Sequence, residues 1–229
     1  MNYLLPLLSV LIGYAVALFI KPNTANLKLL LAFSGSFLLS ITVIHLLPEV
    51  YESAHQHENH NHLNTVGIFI MLGILFQIVL EFFSKGAEHG HVHGHPEMRH
   101  MPWALFLSLC IHAFMEGFPI SHHHDLAIGI AIHHLPIAII LTSFFVNANL
   151  DRKVIFIFMA VFALMTPLGS AAAEYLPFLN EYYTQITAVV IGILFHISST
   201  IIFESSQGHK FNIAKISMIL LGMLLAFLL

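Results

Sequence analysis

PWALFLSLCIHAFMEGFPI, residues 102–120, carries the two facts on which the fold turns. The run is as long as the roughly 20 apolar residues a helix needs to cross a bilayer core. Inside it stand His112 and Glu116, side chains that hydropathy alone would exclude. Placing an ionisable group at the bilayer centre costs on the order of 2.5–3.5 kcal/mol, so such residues are retained for function.

Working outward, runs of the same kind recur along the chain. They cover about 2–20, 29–50, 64–84, 102–120, 125–146, 154–173, 184–204 and 211–229, with short polar breaks between them. The composition agrees. With 58% hydrophobic and 9% charged residues and a mean hydropathy of +0.84, the chain lacks the polar residues needed to clothe a soluble globule. We expect an all-α integral membrane protein, one transmembrane domain over residues 1–229, built as a bundle of about eight helices. The first run has no basic residue before it and no A-x-A pattern after it, so it reads as a mature helix and not as a leader.

Charge gives an independent check. Lys21 and Lys28 fall in the first break, Lys85 and Arg99 in the third, Arg152 and Lys153 in the fifth, and Lys210 and Lys215 at the seventh, Lys215 just inside the start of the last run. All eight basic residues therefore lie on one side, which the positive-inside rule makes the cytoplasm, and both termini are expected outside. The protein is expected in the cell membrane, inner or plasma, as a multi-pass chain with no nucleic-acid partner.

Histidine is the compositional anomaly, with 18 residues, while the single cysteine, Cys110, excludes a thiolate cluster or disulfide framework. Twelve histidines fall in breaks: His55, His57, His60 and His62 outside, His89, His91, His93, His95 and His100 in the cytoplasmic loop 85–101, and His122, His123 and His124 outside. Such tracts bind metal loosely and lack the fixed spacing of a structural zinc site.

The informative residues lie within the runs. His112 and Glu116 are four apart, which puts an imidazole and a carboxylate on one helical face, a pair able to share a cation. His133 and His134 are adjacent and about 100° apart around their axis, so one is expected to face the metal and the other to ligate beside it or support it. Pro136 frees the carbonyl of Ile132 and Pro119 that of Met115, which predicts kinks beside the site. His45, Glu49, Glu81, His196 and Glu204 are candidate pathway residues. A lone membrane histidine more often bonds a neighbouring helix than a metal, so these carry less weight.

Imidazole with carboxylate suits Zn²⁺, with Fe²⁺, Mn²⁺ and Cd²⁺ as alternatives and no organic cofactor. Because imidazoles coordinate only when neutral, binding should weaken as pH falls through about 6 to 7. The H-E-x-x-H pattern of zinc proteases is absent, as are the clustered boxes of membrane di-iron enzymes. A carrier is therefore expected rather than an enzyme, with a membrane metalloenzyme or a non-transporting metal sensor as the alternatives.

These motifs resemble a known family. His112-Ala-Phe-Met-Glu116-Gly117 is similar to the fourth-helix H-N-x-x-[DE]-G motif of the ZIP divalent metal transporters. His133-His134-Leu-Pro136 resembles their fifth-helix H-E-x-P-E motif, and His45-Leu-Leu-Pro48-Glu49 their second-helix H-x-x-P-E end. The resemblance, to members of prokaryotic type, implies zinc uptake into the cytoplasm, with His112, Glu116 and His133 as ligands of a first metal. It also marks a departure. Where the family places second-metal ligands this chain has Ala113, Ile137 and Thr166, and His134 stands at an acidic position. One transport metal is expected, held by His112, Glu116 and His133 with His134 assisting. A homodimer is permitted by small-residue spacing such as Gly169 to Ala173.

Overall fold

Among the described residues every element is helical. The computed structural model describes residues 3–20, 23–55, 61–84, 102–121, 123–204 and 212–229. The histidine-rich stretch 85–101, together with Lys21, His57, His60, His122 and Lys210 and the side chains of His55, His62 and Glu204, lies outside that description. The elements are α1 (Leu4–Phe19), α2 (Thr24–Ile41), a π-helical turn (Thr42–Leu46), α3 (Leu47–His55), α4 (Asn61–Ser84), α5 (Trp103–Gly117), a 3-10 turn (Phe118–Ser121), α6 (His124–Asn147), α7 (Arg152–Tyr175), the short α8 (Pro177–Glu181), α9 (Tyr183–Glu204) and α10 (Ile213–Leu228).

The all-helical apolar bundle anticipated from composition is the architecture found. Six segments, 25–54, 64–83, 103–121, 124–147, 152–175 and 183–203, are long and apolar enough to cross a membrane. Helices α1 and α10 are apolar but shorter, at 16 residues each. Their outward faces identify the solvent. Ile68, Met71, Leu72, Leu75, Leu107, Leu164, Leu168, Leu220 and Leu224 are exposed, while His112, Glu116, His133, His134, Gln77 and Ser198 are buried. A surface this apolar over a polar interior is stable only against lipid.

Two prolines act differently from a simple kink. Helix α2 runs into the π turn and on through α3, with the amide of Leu47 bonding back five residues to the carbonyl of Thr42. Pro48 follows directly. Its ring would meet the carbonyl four residues earlier in a regular helix, and the wider π turn just before it absorbs that conflict. At Pro119 the α-helix ends: α5 stops at Gly117, the Phe118 amide bonds to the carbonyl of Met115, and the chain continues as a 3-10 turn.

Helices pack in pairs, α1 on α6, α2 on α10, α4 on α9 and α5 on α7. One apolar cluster joins α1, α5, α6 and α7 through Val10, Leu109, Leu141, Phe145, Phe158 and Phe162. Another joins α2, α4, α9 and the start of α6 through Phe37, Ile41, Ile70, Ile130, Ile191 and Leu194. Two of the pairs close to backbone contact. A Cβ on Gly73 would fall on the carbonyl of Val189 and one on Gly192 on that of Ile70; a Cβ on Gly117 would strike the carbonyl of Thr166 and one on Gly169 that of Phe114. The small residue at 169 therefore serves a contact within the chain.

Side chains tie the remaining polar backbone. Ser9 of α1 donates to the carbonyl of Ala131 on α6. Lys215 of α10 is buried, and its Nζ donates to the Ile202 carbonyl at 2.6 Å. That carbonyl belongs to the last turn of α9, where helix geometry leaves acceptors unfilled and the dipole favours a cation.

Gly73→Val is expected to force α4 from α9, cost about 1–3 kcal/mol, and lower the unfolding midpoint in detergent. Gly67→Ala is the control. An added Cβ there meets only the Tyr51 hydroxyl at 3.9 Å, so the midpoint should hold or rise.

Candidate metal centre

Glu116 has no exposed surface and lies on the last turn of α5, one residue before the glycine that touches α7. One turn back on the same face, His112 is 2% exposed, and its Nε2 lies 3.1 Å from Glu116 Oε1. The helical repeat alone makes that contact.

The other carboxylate oxygen is met from α6. His134 Nε2 lies 3.0 Å from Glu116 Oε2, and its ring packs at 5.3 Å between centroids against Phe162 of α7. His133, also buried, points close by: His112, Glu116 and His133 each offer one ligand atom, and these lie within 4.8 Å of one another. Two ligands at 2.0–2.1 Å from a tetrahedral zinc stand about 3.3–3.4 Å apart. Small inward movements of side chains therefore suffice to enclose a cation. The donor set is two imidazoles and a carboxylate, with a third imidazole on the carboxylate's far oxygen, an arrangement that orients the carboxylate.

Ala113, Ile137 and Thr166, at the positions where the resemblance places second-metal ligands, are all buried. Two are aliphatic and the third a hydroxyl, so they add no strong ligand.

The remaining sequence candidates form pairs elsewhere. Glu81 on α4 and His196 on α9 meet at 2.6 Å, partly exposed. His45, in the π turn, has Nδ1 3.6 Å from Asp125 Oδ2, and Glu49 Oε2 lies 2.9 Å from His123 Nε2. Asp125 was not apparent as a site residue from sequence, and His123 only as part of a loop tract. A carboxylate just beside a histidine run at a helix start is the signal that could have found them.

Comparison with known proteins follows the same direction. Residues 3–102 match the family model for the ZIP zinc transporters. The chain is 28% identical over 129 residues to zinc transporter ZIP9-B of Xenopus laevis, covering 51% of this chain and 42% of that protein. It is 24% identical over 193 residues to zinc transporter ZIP1 of Danio rerio, covering 64% of each. The chain thus spans about half the length of the curated relatives it matches.

Replacing His134 with Leu leaves a fully buried carboxylate with one imidazole fewer. A buried polar group deprived of a partner costs about 1–3 kcal/mol, so the variant should unfold at a lower temperature in detergent at neutral pH. An unchanged midpoint would show that the His134 contact contributes nothing to holding Glu116.

Proposed function

We propose, from its likeness to the ZIP zinc transporters over residues 3–102 and to the named relatives, that the chain belongs to that family and carries zinc ions across the membrane its helices span. The observation that carries this reading is the buried group of His112, Glu116 and His133, whose ligand atoms converge within 4.8 Å in the bundle interior. Ionisable groups sunk this deep are compensated when a dication is present. The family and the named relatives are transporters, so the chain is read as a carrier and not as an enzyme.

The finer assignments are part of the same proposal. One zinc is bound at a time, by His112, Glu116 and His133, with His134 holding the far carboxylate oxygen. No second ion sits beside it, since Ala113, Ile137 and Thr166 offer no replacement for the missing ligands. Fe²⁺, Mn²⁺ and Cd²⁺ are the competing cargoes, and a single carboxylate among imidazoles favours zinc over harder cations. Zinc arrives near His45 and Glu49 and leaves near Glu81, His196 and Glu204 into the cytoplasm. The inward direction is what the family resemblance implies; the one-sided basic residues set which end is cytoplasmic and leave both termini outside. The membrane is the inner or plasma membrane, and a homodimer is compatible with the outward apolar faces.

Flux into liposomes containing a zinc-sensitive dye tests the proposal. The chain should pass zinc, and His112→Ala with Glu116→Ala should lower the initial rate about 100-fold or more, beyond the 10–100-fold typical of losing a supporting residue. Undiminished flux in the double variant would remove the assigned site. Zinc binding without flux in the unaltered chain would favour a sensor, the reading to which the lost second set of ligands lends weight.

A further inference from the structure

Two of the imidazoles at the metal centre, those of His133 and His134, stand on a turn of α6 that is short of a backbone bond. Pro136, inside the helix, brings no amide hydrogen, so the carbonyl of Ile132 loses the donor that a regular helix supplies four residues on. Both histidines lie between that carbonyl and the proline. In lipid such a turn is held by neighbouring helices and by hydroxyl side chains.

Helix α1 supplies both. Ser9 donates its hydroxyl to the carbonyl of Ala131, the residue just ahead of the open turn. One turn further along α1, a Cβ on Gly13 would stand 2.8 Å from the carbonyl oxygen of Leu135 and 2.7 Å from the Cβ of Ala138, so the two helices already touch just behind the histidines. The steps match, since Ser9 to Gly13 and Ala131 to Leu135 are each one helical turn. The two helices therefore run in the same direction and in register, and α1 grips α6 on either side of His133 and His134. Between the two grips, Val10 is fully buried in the apolar cluster that takes in Ile137 and Leu141.

The partner of the Ser9 hydroxyl is the second observation. A serine within a helix commonly bonds a carbonyl one turn back on its own helix, as Ser34, Ser36, Ser40, Ser199 and Thr200 do in this chain. Ser9 crosses to another helix instead. It is buried, on a helix with no charged residue, and its bond lands two residues before His133.

We propose that Ser9 and Gly13 are positioning residues of the metal centre. They touch neither the ion nor its ligands; they fix the turn that aims His133 at the cation and His134 at Glu116, and so set how tightly and in what geometry the centre holds a divalent metal. The proposal rests on the reading of His112, Glu116 and His133 as a metal site.

Cobalt(II) separates the two, because it takes imidazole and carboxylate ligands as zinc does and its visible absorption reports the ligand geometry. The signal of the centre is the part of the absorption of the full chain in detergent that His112→Ala with Glu116→Ala removes, which sets aside the histidine tracts. Ser9→Ala should weaken that binding about tenfold, the lower end of the loss typical of a supporting residue, and change the shape of the band. Gly13→Ala, which presses on the Leu135 carbonyl, should weaken it likewise and reports on the same grip should Ser9→Ala not be recovered folded. Ser9→Thr keeps the hydroxyl and should restore affinity and band shape, and Ser40→Ala, which removes a bond internal to α2, should change neither. A residue that only stabilised the fold would lower the unfolding midpoint of the metal-free chain and leave cobalt affinity and spectrum alone. Unaltered affinity and spectrum in Ser9→Ala and Gly13→Ala, or a loss in Ser9→Thr equal to that in Ser9→Ala, overturns the proposal. An unaltered chain whose cobalt absorption matches that of the His112→Ala, Glu116→Ala chain instead defeats the metal-site reading, and the positioning role falls with it.

Discussion

One carboxylate organises the interior. Glu116 is fully buried, one oxygen facing His112 on its own helix and the other His134 on α6. A lone carboxylate at this depth would be severely penalised. The surrounding imidazoles reduce that penalty, and their approach fixes how α5 and α6 must sit. Helix position, side-chain burial and the convergence of ligand atoms are thus one constraint.

The constraint is met because helices can come close. Gly117, next to Glu116 in the chain, rests on the backbone of α7, and Gly169 on α7 rests on that of α5. In lipid no hydrophobic force drives helices together, so contact area gained by small residues does that work. Apolar packing around Leu109, Leu141, Phe158 and Phe162 then closes the region on its α7 side. His134 leans on Phe162 in the same layer.

Much of this was legible along the chain, for a physical reason. A bilayer imposes a length and a polarity on each crossing, both of which are one-dimensional, so the runs and the intruding His112, Glu116, His133 and His134 stand out without a fold. What could not be read is pairing. Glu81 and His196 are 115 positions apart, and Glu49 and His123 belong to different segments, so only packing joins them. Asp125 was hidden for the opposite reason, sitting where polar residues are unremarkable. The 3-10 turn at Pro119 and the π turn before Pro48 escaped as well, since proline announces a conflict without saying how the backbone resolves it.

The π turn at Thr42–Leu46 also resets an angle. A turn holding one extra residue rotates everything beyond it by about 100° relative to an unbroken helix. The buried side of α2, with Phe37, Leu38 and Ile41, and the acidic side of α3, with Glu49, therefore need not share one stripe. A single rod can present an oily seam along its lower length and a charged edge at its mouth, each chosen without compromising the other. Five residues of altered winding thus uncouple the two ends of one membrane-spanning segment.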